Sequence, residues 1–196
     1  ADTSVFPRHD TIAAALDSAP TDYGAAFSKA ATVLEKNIVP ESDLADGVSL
    51  GDVFAAVLDS EDVILKYREW RRDSDTTFEP WRPSPGVLNA GQRLMTCTSL
   101  VRVVTEGSYP FEEFQRFVMA SVGGVPMLML HTSGQMKKAM FSETFRVETL
   151  LVFKERTDAQ SDLKVVTVSV FMHINFLKWS PVKGTIKKTA TKETTE

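Results

Sequence analysis

The chain has 196 residues, 43% hydrophobic and 24% charged, with a formal net charge of −4. That balance fits a folded domain with a sizeable core and excludes a disordered or fibrous chain. The acidic excess and the lack of an aromatic-basic or zinc-spaced motif argue against a nucleic-acid partner.

In chain order, Thr11–Ala19 is alanine-rich and stops at Pro20, and Phe27, Ala30, Ala31, Leu34 and Ile38 then recur as one stripe of an amphipathic helix that Pro40 closes. The acidic, turn-rich ESDLADGVS that follows reads as a linker. Residues 1–47 are thus expected to be a helical N-terminal appendage and linker, a surface for a protein partner, and residues 48–196 the main domain.

The main domain opens at Ser49-Leu-Gly-Asp, which puts an acidic residue at the third position of a helix through Val53, Phe54, Val57 and Leu58. A second short helix is predicted over about Ser60–Arg72, with Val63, Ile64, Tyr67 and Trp70. Strands follow over about Thr76–Trp81, Arg93–Arg102, Phe111–Ala120, Val125–Thr132, Phe145–Glu155 and Lys164–Leu177, separated by Gly, Pro and Ser-rich turns. No connection is long enough for a crossover helix, so an antiparallel meander is expected.

The last strand is the clearest of these. Val166, Val168, Val170, Met172, Ile174 and Phe176 make one alternating face wholly apolar, while Thr167, Ser169, His173 and Asn175 make the other mostly polar. In that register Val170→Asp should be costly and Ser169→Asp nearly silent. The strand hands over to Ser180 and Pro181, read as N-cap and first residue of a final helix over 180–196. The predicted class is α+β: two short helices, a curved antiparallel sheet of about six strands and a long C-terminal helix.

That order, with VFAAVLDSED in the opening helix, Trp81, Gly91-Gln92-Arg93, Phe145-Arg-Val and the close KWSPVKGTIKK, resembles a VASt domain. This is a branch of the StAR-related lipid-transfer (START-like) helix-grip fold, and the resemblance runs from about Val48 to Glu196. The family's loop after the second strand usually carries a lysine, where this chain has VTEGSYPF. The resemblance implies a module that carries a sterol or phospholipid at contacts between two membranes, on their cytosolic face, without covalent chemistry or cofactor.

If there is a lipid cavity, its candidate walls are Met95 and Cys97 on the second strand, Met127 and Met129 on the fourth, Val147, Leu151 and Phe153 on the fifth, Val168, Val170 and Met172 on the sixth, and Ile186 on the final helix. These residue types read equally as a closed core, since thioethers and branched side chains fill either. Gly107, Tyr109, Pro110 and Phe111 are the candidate entrance loop, or a hairpin loop with aromatic anchors. Lys183, Lys187 and Lys188 could meet an anionic membrane surface at about 1 kcal/mol per nearby cation, or form a solvated helix face.

Other classes are weaker. No apolar run approaches the ~18 residues of a membrane-spanning helix, no secretory leader is visible at the start, and the one cysteine, Cys97, fits a reducing compartment. Alternation turns Arg146, Glu148, Lys154 and His173 away from the apolar face, and His9, His131 and His173 have no carboxylate or cysteine at metal or triad spacing. The alternatives left open are a non-transporting protein-interaction domain and, third, a START-like enzyme.

Overall fold

Ser49 caps the first helix reciprocally: its hydroxyl accepts from the Asp52 amide, while the Asp52 carboxylate accepts from the Ser49 amide at 2.8 Å. Helix α1 (Leu50–Phe54) widens into a π-type turn over Ala55–Asp59, and α2 (Asp62–Trp70) follows. The computed structural model describes residues 36–83, 89–101, 107–159 and 162–195.

Eight strands form one antiparallel sheet: β1 (Lys36–Asp46), β2 (Ser74–Phe78), β3 (Arg82–Pro83), β4 (Ala90–Val101), β5 (Gly107–Val122), β6 (Val125–Met136), β7 (Phe145–Thr157) and β8 (Lys164–Phe176). The order is β1-β8-β7-β6-β5-β4-β2, with β3 paired to β4, so β4 to β8 run as the expected meander. Helix α3 (Lys183–Thr195) ends the chain. Among the described residues the architecture is α+β, mostly antiparallel sheet with three helices, and eight strands replace the expected six.

The extra edge strand corrects the sequence reading. Residues 36–46, assigned above to the end of an amphipathic helix and a linker, instead pair with β8 from Lys36↔Met172 to Asp46↔Val165. Pro40 falls in a register shift between Val39 and Ser42, where the ladder does not need its missing N–H. Residues 1–35 of the expected appendage lie outside the described residues.

The helices pack on one face of the sheet, here the inner face. Leu50, Val53 and Leu58 meet Phe117, Leu128, Leu130, Phe153 and Val166, the main core cluster, and Ile186 of α3 packs on Met172 and Ile174. Trp81 closes the core edge: its ring meets Phe117 edge-on at 4.9 Å and its indole N–H donates to the Leu58 carbonyl at 2.9 Å. The apolar face of β8 is inward, as its alternation predicts.

Two details differ from expectation. Helix α3 begins at Lys183 behind a turn at Pro181 and Val182, and the buried Ser180 hydroxyl has no partner among the described residues, so no serine cap forms. The outer face is not left to water: Leu150, Val118, Met129, His131, Glu148 and Ser169 are all buried there.

Candidate functional site

Strand alternation carries apolar and polar residues to the same face at different places along the sheet. On β7 and β8 the inward positions in the cavity are Val147, Thr149, Leu151, Phe153 and Val170, apolar but for the one threonine; on β5 the inward positions are Phe111, Glu113, Gln115 and Phe117. Between this face and the helices lies a cavity of about 890 Å³. Its apolar wall is built from β7, β8 and the Ile186 and Ala190 side of α3; its polar wall from Arg68 and Arg71 near α2, Ser99 on β4, and Glu113 and Gln115 on β5. Gly134 on β6 makes room between them, since a Cβ there would lie 2.5 Å from the Phe111 ring.

The polar wall is one continuous network. Arg68 binds Asp73 at 3.2 Å and Glu113 at 3.0 Å, Arg71 reaches Asp73 at 3.6 Å, and the Ser99 hydroxyl donates to Asp73 at 2.7 Å. Gln115 donates to Glu113 at 2.8 Å and accepts from Arg93 Nε at 2.8 Å, while Arg93 also pairs with Glu61. Arg93 is held between the rings of Phe78 and Trp81, 4.3 and 4.2 Å from their centroids. Three guanidinium groups thus face three carboxylates, and the buried network is neutral.

The electrostatics follow from that balance. Burial opposes the Arg68 charge, but Glu113 and Asp73 outweigh it and hold its pKa above the ordinary value. Burial pushes the nearby Cys97 thiol up to about 11, with Asp73 and Glu113 adding and Arg68 opposing, so at neutral pH it is an unreactive thiol. The expectation that titratable groups stay out of the interior therefore holds for β7 and β8 and fails for α2 and β5. No histidine lines the cavity among the described residues, nor does any cluster there suit a metal ion.

The candidate lipid residues divide clearly. Val147, Leu151, Phe153, Val170 and Ile186 line the cavity. Met95, Cys97, Val168 and Met172 are on the inner face but not in the cavity wall: Val168 packs on the main core and Met172 beneath Ile186. Met127 and Met129 are corrected to the outer face, because their β6 neighbours Leu128 and Leu130 take the inward positions.

Of the candidate entrance loop, Gly107, Tyr109, Pro110 and Phe111 belong to β5 instead, and only Phe111 lines the cavity. The expected lid is corrected to a strand because the β4–β5 ladder continues to Val101↔Gly107. Residues 102–106 lie outside the described residues. Lys183, Lys187 and Lys188 are exposed on α3, with the Lys183 ammonium 4.8 Å from the Phe176 ring centroid.

Sequence reasoning missed the polar wall: Arg68, Asp73, Ser99, Glu113 and Gln115 come from separate elements with no spacing in common. One signal was available. Glu113 and Gln115 sit at the same parity as Phe111 and Phe117, so any register that buries both phenylalanines buries them too.

Among curated proteins nothing matches the chain. Residues 47–193 match the VASt family, the VAD1 analog of StAR-related lipid transfer domain, and with three quarters of its length covered the chain belongs to that lipid-transfer domain family.

Proposed function

We propose that the chain is a non-enzymatic carrier that holds one sterol or similar lipid between the sheet and α3, in a START-like helix-grip arrangement, and moves it between membranes at contact sites. The observation that carries this reading is the pairing of an 890 Å³ cavity, within the roughly 300–1,000 Å³ of small-molecule sites, with a neutral polar network confined to one wall. An apolar body with a single small polar group matches that division.

The neutrality favours a hydroxyl over an anionic headgroup. Glu113 accepts from Arg68 and Gln115 and still has lone pairs for a ligand O–H. A phosphate or carboxylate would add an uncompensated charge to a balanced buried cluster, at several kcal/mol. Catalysis is disfavoured because the network's carboxylates are tied to guanidinium groups and Cys97 is held as a thiol. No described helix is long and apolar enough to cross a membrane.

Mass spectrometry of lipids extracted from the purified chain tests the proposal. A stoichiometric sterol or other neutral monohydroxyl lipid is expected. A bound phospholipid would overturn the hydroxyl argument, and an empty cavity would favour the protein-interaction alternative.

A further inference from the structure

Several apolar residues that line the cavity also reach solvent, and two groups of them form apolar lips. On α2, Val63, Tyr67 and Trp70 recur one helical turn apart and remain 48, 42 and 59% exposed. Val63 and Tyr67 also line the cavity, and Trp70 extends the stripe by stacking on Tyr67 with ring centroids 6.1 Å apart. The other lip is the segment after β6, where Ala139 and Met140 line the cavity and Met140 is 57% exposed.

Cations flank both lips. Lys66 lies beside the α2 stripe, and the exposed Lys138 precedes Met140. Of the acidic side chains nearby, Glu112 is paired with Lys137 at 3.2 Å and Glu143 faces Lys178 at 3.9 Å, while Asp62 and Glu69 stand four residues before and three after Lys66 and so flank it on α2, beside the stripe and not within it.

We propose that these two lips, Val63, Tyr67 and Trp70 of α2 with Met140 opposite, are the membrane-docking surface of the protein, seating the open cavity on a bilayer interface. The occupant is a lipid surface because an amphipathic aromatic pair, a thioether and flanking lysines are what the headgroup boundary accommodates. The lips are also continuous with the cavity a lipid must enter. The proposal rests on the carrier reading for its purpose but not for its test. It puts the contact on α2 and the segment after β6, where the lysines of α3 would at most add to it.

Vesicle flotation of the whole chain tests it, using neutral phosphatidylcholine vesicles and vesicles with phosphatidylserine added. Trp70→Ser should weaken binding to both by roughly tenfold, the scale expected when interfacial apolar area is lost. The pair Lys66→Gln and Lys138→Gln should weaken binding only to anionic vesicles and lower its salt dependence. Brominated lipids should quench tryptophan emission in the wild type and in Trp179→Phe, but much less in Trp70→Phe.

None of these positions lines the cavity, so a fluorescent sterol titrated in solution should report unchanged affinity. If no variant binds sterol while vesicle binding still follows Trp70, the carrier reading fails and the docking surface stands. Vesicle binding indifferent to Trp70, or a wild-type chain that stays off vesicles, overturns the docking surface and leaves the stripe to a protein partner.

Discussion

The two walls of the cavity are made by the same device, alternating strand positions on one sheet face, yet they do opposite work. The β7–β8 wall presents Val147, Leu151, Phe153 and Val170, with Thr149 its one polar side chain, and provides mainly apolar area. The α2–β4–β5 wall buries guanidinium and carboxylate groups that contribute little net stability as pairs, but are severely destabilising when one partner is missing. On the proposed carrier reading the contrast separates affinity from orientation: a ligand would gain contact from the first wall and a preferred direction from the second.

Removing Arg68 should break the contrast most sharply. Arg68→Met leaves Asp73 and Glu113 buried without their shared cation, and unfolding by denaturant should show a loss of about 3–5 kcal/mol. A loss near that of an ordinary surface substitution would mean that water reaches the network.

Adding a charge elsewhere tests the dry regions. Val170→Asp on the apolar wall should destabilise by about 2–4 kcal/mol. Because Ser169 is buried on the outer face, Ser169→Asp should cost a similar amount, contrary to the near silence its alternation predicts. Thermal melts showing Ser169→Asp unchanged would return the outer face of β8 to solvent.

Ligand selectivity sharpens the comparison further. Glu113→Gln turns the network net positive, so an anionic lipid should gain on a sterol by about 1.4 kcal/mol, a tenfold change in the ratio of affinities. Val170→Phe, on the opposite wall, should weaken both ligands alike by filling the cavity. Competition with a fluorescent sterol distinguishes the two, and equal effects on both ligands in Glu113→Gln would remove the polar wall from ligand recognition.

The smallest effect belongs to the outer face, which serves as a control for both walls. Burial holds the His131 pKa below its ordinary value, with Glu148 opposing at 3.9 Å and Arg116 adding. The unfolded chain therefore takes up the proton first, and stability present above the unfolded pKa of about 6.5 should fall with decreasing pH by at most about 1.4 kcal/mol per pH unit. His131→Gln should flatten that part of the pH profile and leave sterol binding untouched. An acid limb unchanged in the variant would assign it to other groups.

Much of this was legible in the residues, and unevenly. The alternation of Val166 to Phe176 fixed the inner face of β8, and the Ser49-Asp52 spacing placed the first helix, because both signals are local and repeat at the period of the backbone. The polar wall was not legible because its bonds join positions such as Arg68 and Glu113, brought together only when the sheet is assembled. The β6 methionines misled for a simpler reason: Met127-Leu-Met-Leu is apolar at both parities, so composition could not choose the inward pair. Residues 36–46 were misread because Pro40 looks like a helix terminator, and only the ladder to β8 reveals that it occupies a break in register.

That first strand has a practical consequence for handling the protein. The family match begins at residue 47, yet Lys36–Asp46 pairs along β8 from Val165 to Met172. A chain trimmed to the match would bare β8 as an open edge, with its amides and carbonyls free to recruit the same edge of another copy. Such a fragment is expected to run as dimers or larger aggregates in size-exclusion chromatography, where the chain retaining residue 36 onward has that edge already occupied.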